Sequence, residues 1–180
     1  MKHIRIALLG QPNSGKSTLF NGLTGAKQHV GNWPGKTVEK KEGYFVRNGM
    51  RYTLVDLPGS YGLSANSDEE VITREYITSG KADAVALIAD ASQLNRSLFM
   101  LADFAGINVP VVLLMNMMDI AEKQGKTVDI KEFEKELGVP VVPIVAADKA
   151  QYKDLFAFLD RFDGKSALKT ASLEKSYESV

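Results

Sequence analysis

Ile4-Arg5-Ile6-Ala7-Leu8-Leu9-Gly10-Gln11-Pro12-Asn13-Ser14-Gly15-Lys16-Ser17-Thr18-Leu19-Phe20 is the stretch that decides the fold. Residues 4–9 are an apolar run ending on a glycine and residues 16–23 are helix formers, so the segment reads strand, tight loop, helix. The loop, residues 10–17, fits a glycine, four free positions, then Gly-Lys-Ser. Glycines let the backbone wrap a phosphate with its N–H groups, and the helix start adds the positive end of its dipole. Lys16 is placed to neutralise the outer phosphates and the Ser17 hydroxyl to bind magnesium. Gly10, Gln11, Pro12, Asn13, Ser14, Gly15 and Thr18 complete the nucleotide-binding set. A plain glycine-rich turn is the alternative, and the strand-to-helix setting argues against it.

Outward from this loop, strands and helices alternate. Residues 26–39 hold Gly31, Pro34 and Gly35 without periodicity and read as a long loop, which compact domains usually keep for function. Strands over 42–47 and 50–55 flank Asn48-Gly49, the strongest short hairpin signal, and are expected to be antiparallel. A loop over 56–67, a helix over 68–78, a strand over 84–89, a helix over 95–105 and a strand over 109–115 follow. A helix over 130–137, a strand over 139–145 and a helix over 153–162 close the series. This order predicts a three-layer α/β domain with a mostly parallel sheet and one antiparallel edge strand. Residues 1–165 are expected to form the domain, and 166–180 a linker or the truncated start of a following helical domain.

A chain of 180 residues with 44% hydrophobic content supports one core. Lys plus Arg and Asp plus Glu each number 22, so the net charge is zero and no basic surface is available to hold nucleic acid by counterion release. The longest apolar run, residues 109–115, falls far short of the roughly 18–20 residues that cross a bilayer. Cysteine is absent and both histidines, His3 and His29, are isolated, so no transition-metal cluster is expected. The N-terminus shows no signal-peptide pattern, and these facts together suit the cytoplasm.

Two further motifs follow in order. Asp56-Leu57-Pro58-Gly59 ends the second hairpin strand, 40 residues after Lys16. A carboxylate there faces the magnesium held by Ser17, and Gly59 brings a backbone N–H to a γ-phosphate. Asn116-Met117-Met118-Asp119 follows an apolar strand, and ligands of such sheets bind at the carboxyl ends of strands. Asp119 there accepts hydrogen bonds from the N1–H and N2 amine of guanine, a pair that adenine lacks, and so selects GTP over ATP. An ordinary helix N-cap is the alternative for Asp119. Thr37, in the long loop, is the candidate second magnesium ligand and γ-phosphate sensor. Trp33 is either an anchor of that loop or exposed. Met115, Met117 and Met118 read as packing residues, and Asp68, Glu69 and Glu70 as the capped start of a helix.

With these residues in view, Val30-Gly31-Asn32-Trp33-Pro34-Gly35-Lys36-Thr37-Val38-Glu39 closely resembles the first switch of the bacterial ferrous-iron transport protein B family. Asp56-Leu57-Pro58-Gly59-Ser60-Tyr61-Gly62-Leu63 resembles that family's second switch, and residues 112–119 its guanine-recognition strand and loop. The similarity covers about residues 3–162. It implies a slow, magnesium-dependent GTPase on the cytoplasmic face of the bacterial inner membrane, coupled to ferrous-iron uptake. In such proteins a helical domain and a polytopic membrane region follow the GTPase domain. The resemblance makes Lys16, Thr37, Asn13 and Gly59 catalytic, adds Gly35 to the nucleotide contacts, and places potassium on Asn13 and the carbonyls of Gly31 and Trp33. Two departures stand out: Met117 replaces the usual lysine of the guanine motif, and Val145-Ala146-Ala147 replaces the usual Ser-Ala-Lys of the last base-contacting loop. Ala146 keeps a backbone N–H for the guanine oxygen, but the serine's support is lost. Ser60 stands where Ras-like enzymes carry a water-orienting glutamine, which implies slow turnover.

The nearest rival is a soluble ribosome-assembly or tRNA-modification GTPase, which shares all three motifs but normally carries a basic RNA-binding module. A second is a nucleotide-sensing interaction module in which hydrolysis is incidental. Homo-oligomer formation is compatible with either.

Overall fold

The computed structural model describes residues 2–59, 67–103 and 107–162. Seven strands form one sheet: β1 (Lys2–Gly10), β2 (Gln28–Asn32), β3 (Glu39–Arg47), β4 (Met50–Asp56), β5 (Ala84–Asp90), β6 (Val111–Asn116) and β7 (Val141–Pro143). Their order is β2-β3-β4-β1-β5-β6-β7. The pairs β4–β1, β1–β5, β5–β6 and β6–β7 are parallel, and β2–β3 and β3–β4 antiparallel. Helices α1 (Lys16–Thr24), α2 (Asp68–Thr78), α3 (Leu94–Ala102), α4 (Met118–Lys123), α5 (Ile130–Leu137) and α6 (Lys153–Arg161) flank it.

The central strands are apolar on both sides because both faces are covered. On β5, Val85, Leu87 and Ala89 point into a core shared with α2, α3, α4 and α5. Ala84, Ala86 and Ile88 point into the opposite core with Leu19 and Phe20 of α1 and Leu155, Phe158 and Leu159 of α6. The three layers and the parallel sheet are as the sequence predicts, and the Asn48-Gly49 turn, with both residues at positive φ, joins β3 to β4.

The long loop contains more structure than its sequence suggests. Residues 28–32, read as loop, form β2 against the first half of β3, which begins at Glu39 instead of 42. β2 is almost wholly exposed, so no apolar alternation could mark it; pairing with the sheet edge makes the strand. The last strand is shorter than the predicted 139–145. Prolines at 140 and 143 cannot donate to a ladder, so regular pairing is confined to three residues, while Leu113 N–H to Pro140 O (2.9 Å) and Ile144 N–H to Met115 O (2.9 Å) continue it locally. The helix predicted over 95–105 begins as a 3-10 turn at Ala91–Gln93 and continues as α3. Helix α2 starts at Ser67, whose hydroxyl accepts from Glu70 N–H, with Asp68, Glu69 and Glu70 in its first turn as expected.

Among the described residues, no helix is long and apolar enough to cross a membrane, and no group of three His, Cys, Asp or Glu could hold a metal. Ser60, with the rest of the second half of the second-switch stretch, and residues 163–180 lie outside the described residues.

Candidate functional site

Parallel strands end on one side of the sheet, and the predicted site residues outside the first switch lie there. Gly10 closes β1, Asp56 closes β4, Asn116 closes β6, and residues 145–147 follow β7. The phosphate loop needs its outer glycines for space. A Cβ on Gly10 would come within 2.5 Å of the Ile88 side chain and 2.7 Å of Ser14 Oγ. Gly15, at φ +99°, would put a Cβ 2.3 Å from Asn116 Nδ2. Asn13 is also left-handed, at φ 66°, a conformation that asparagine tolerates better than most residues. Gln11 reaches across to donate to the Arg96 carbonyl of α3 at 2.7 Å. Ser17 and Thr18 are exposed at the start of α1.

Lys16 and Asp56 meet directly, with Nζ to Oδ1 at 2.7 Å, and Lys16 donates also to the Leu57 carbonyl. Both side chains are nearly buried, at 10% and 13% exposure, so neither charge is accommodated by water alone. The carboxylate is thus already a cation acceptor at the end of β4. Gly59 lies against the phosphate loop: a Cβ built on it meets the Gly10 carbonyl and Pro12 at 3.9 Å.

The end of β6 is held by Asn116, which is 5% exposed. Its Nδ2 donates to the Ser14 carbonyl (3.0 Å), and its Oδ1 accepts from Ala146 N–H (3.2 Å), tying the phosphate loop to the loop after β7. The Ala146 N–H, expected to face a ligand oxygen, is engaged by Asn116 in this structure. The Ala146 carbonyl in turn accepts from Tyr152 Oη at 2.6 Å. Burial pushes the Tyr152 phenol up, helped by the Asp148 carboxylate, so it remains a donor at neutral pH. Met117 sits in the left-handed region at φ 62°, ψ 31°, a costly place for a long side chain and one typical of functional turns. Met117, not Asp119, is the N-cap residue of α4, and the cap makes no side-chain hydrogen bond. Asp119 is the second residue of α4 and exposed, so it is not the N-cap. Val145 and Ala147 are exposed on either side of buried Ala146.

The first-switch residues are arranged differently. Thr37 and Gly35 are exposed in a bend, and Gly31 is paired within β2 opposite Lys40. The Trp33 carbonyl accepts from Lys36 N–H (3.0 Å), which uses it within the turn. Trp33 is an anchor, 7% exposed, edge-on to Tyr76 of α2 at 5.5 Å with the Lys40 ammonium 4.8 Å over its ring. Lys36 adds an ion pair to Asp68 at 3.6 Å. Together these dock the switch on α2 beside a cleft of about 320 Å³. Neither the Tyr152 contact nor the Asn116 strut is signalled by residue spacing; Gly22 inside a helix is the one hint that something packs closely there.

Comparison with known proteins agrees with this geometry. Residues 4–159 match the family model of ferrous iron transport protein B. The Fe(2+) transporter FeoB of Salmonella typhimurium is 46% identical over 165 residues, covering 89% of this chain and 21% of that protein. The chain therefore spans about a fifth of the length of such curated relatives. The solved G domain of the T. maritima FeoB iron transporter superimposes with a TM-score of 0.80 at 38% identity, covering 97% of this chain and 99% of that one. The cytosolic domain of the same transporter in its GMPPNP form gives a TM-score of 0.86 at 41% identity, over 92% of this chain and 66% of that one.

Proposed function

Because the chain belongs to the ferrous iron transport protein B family, we propose that it is the GTP-binding, slowly GTP-hydrolysing domain of a membrane ferrous-iron transporter. The observation that carries this reading is the convergence of Lys16, Asp56, Gly59, Asn116 and the loop after β7 at one end of the sheet, joined by the Asn116 strut. Similar structures in GMPPNP and GDP forms support nucleotide binding. Residues 166–180 would start the next domain, and the whole would sit on the cytoplasmic face of the cell membrane.

In the substrate complex, Lys16 would leave Asp56 for the β- and γ-phosphates, and Asp56, Ser17 and Thr37 would hold magnesium. Their oxygens are the hard donors that magnesium takes, and Asp56 already balances a cation here. Magnesium supplies charge neutralisation at the phosphates. Gly59, already against the phosphate loop, would offer its N–H to the γ-phosphate. Asn13 and the carbonyls of Gly31 and Trp33 would be the oxygen donors for potassium. The Trp33 carbonyl accepts from Lys36 N–H in this conformation and keeps a second lone pair that a cation could take. The neutral charge and the family match leave the RNA-associated alternative without a supporting observation.

Asp119 gives the direct test. Each charge-assisted hydrogen bond to guanine is worth about 1.5 kcal/mol or more, so GTP should bind at least about tenfold tighter than ATP. Titration of Asp119→Ala with both nucleotides should show that preference lost; a variant that keeps it would remove Asp119 from base recognition.

A further inference from the structure

Residues 145–147 are Val-Ala-Ala, so the base loop has no side-chain hydroxyl of its own. Tyr152, 2% exposed, supplies one, donating from Oη to the Ala146 carbonyl at 2.6 Å, within the usual range for such a bond. The other side of this hydroxyl lies against Gly22, in the second turn of α1. A Cβ at position 22 would come within 2.3 Å of Oη and 3.2 Å of Cζ. Glycine inside a helix is unfavourable relative to alanine, and here it is the residue that leaves room for the phenol.

The hydrogen bonds continue from the same alanine. Ala146 N–H donates to Asn116 Oδ1 and Asn116 Nδ2 to the Ser14 carbonyl, so one line runs from Tyr152 through the base loop to the phosphate loop. The peptide between Ala146 and Ala147 is planar, with its C=O and N–H pointing in opposite directions. Holding the Ala146 carbonyl inward on Tyr152 therefore turns the Ala147 N–H outward, where residue 147 is exposed.

We propose that Tyr152 is a positioning residue for guanine recognition: its hydroxyl fixes the Ala146–Ala147 peptide so that the loop presents backbone N–H to the oxygen-bearing edge of the base, and Gly22 is the matching space on α1. The proposal rests on the nucleotide reading above. The base loop thereby recovers, from a residue six positions on, the support that a serine in the loop would give.

The experiment follows dissociation of fluorescent GDP and ADP, together with thermal melting, in the unmodified chain, Tyr152→Phe, Gly22→Ala and the double variant. Tyr152→Phe should speed GDP dissociation about fivefold, the worth of one hydrogen bond, and shrink the GDP-over-ADP preference by the same factor. Gly22→Ala should displace the intact hydroxyl and reproduce both changes, although alanine is the better helix former. Adding Gly22→Ala to Tyr152→Phe should change dissociation little further, since the hydroxyl it collides with is already gone. If Tyr152→Phe melts lower but keeps GDP dissociation within about twofold and the GDP-to-ADP ratio unchanged, Tyr152 is merely structural and the proposal fails. Should that variant not fold, Gly22→Ala decides by the same criterion. An unmodified chain that does not distinguish GDP from ADP would overturn the guanine reading itself, a different failure from loss of the Tyr152 effect alone.

Discussion

Replacing Asn116 by alanine separates the strut from the nucleotide it is expected to serve. The side chain is 5% exposed and makes two hydrogen bonds, to the Ser14 carbonyl at 3.0 Å and from Ala146 N–H at 3.2 Å. Truncation strands one acceptor and one donor in a site where water has little access, at about 1–3 kcal/mol for each orphaned group. The longer bond lies at the lower end, so the expected loss is about 3 kcal/mol. For a domain of this size that lowers the melting temperature by about 10 °C. Asn116→Asp is the informative companion. It keeps an acceptor for Ala146 N–H but turns a carboxylate oxygen toward the Ser14 carbonyl, and should destabilise at least as much as alanine. Thermal and urea unfolding, without nucleotide and with saturating GDP, read both effects, because GDP stabilises only the form that binds it. Both loops lose their mutual support, so the GDP-induced rise in melting temperature should also shrink. An Asn116→Ala protein that melts within about 2 °C of the unmodified chain, with its GDP shift intact, would refute the strut; such a shift is under 1 kcal/mol.

Thr37→Ala should leave GDP affinity nearly unchanged while slowing hydrolysis and weakening triphosphate-analogue binding, since on the proposed reading Thr37 would ligate magnesium only when a γ-phosphate orders the first switch. Equal losses for GDP and GTP count against that switch role. Hydrolysis should run faster in potassium chloride than in equimolar sodium chloride, because a monovalent cation beside the phosphates supplies the charge an arginine finger gives elsewhere. Asn13→Ala should abolish the difference and leave GDP binding largely intact; identical rates in both salts for the unmodified chain remove potassium from the mechanism.

Most of the architecture could be read in advance where chemistry is local. The glycine pattern at 10–17 and the Asn48-Gly49 turn specify backbone conformations that few other residues allow, and both stand as predicted. The apolar runs that became β5 and β6 are buried on both faces, so their strand character is written in every residue. β2 was illegible because an exposed edge strand carries no burial pattern; its pairing is decided by β3. The truncation of β7 follows from two prolines whose effect depends on which ladder bonds they interrupt. At the site, residue identity announced the phosphate loop and both carboxylates. The ion pair between Lys16 and Asp56, the Asn116 strut and the Tyr152 contact each join residues far apart in the chain or on different elements, and spacing alone does not encode such meetings. The missing serine at 145–147 was visible as a loss, while its compensation by Tyr152 required the fold.

Trp33 is the chain's single tryptophan, and it lies in the same stretch as Gly31 and Thr37, the proposed ligands of the first switch. Its indole is packed on Tyr76 beneath the Lys40 ammonium. Tryptophan emission, excited at wavelengths that the six tyrosines do not absorb, is therefore not an average over many sites but a signal from this one segment. The chain carries its own optical gauge of that segment, at the place where a label attached from outside would disturb the packing being measured.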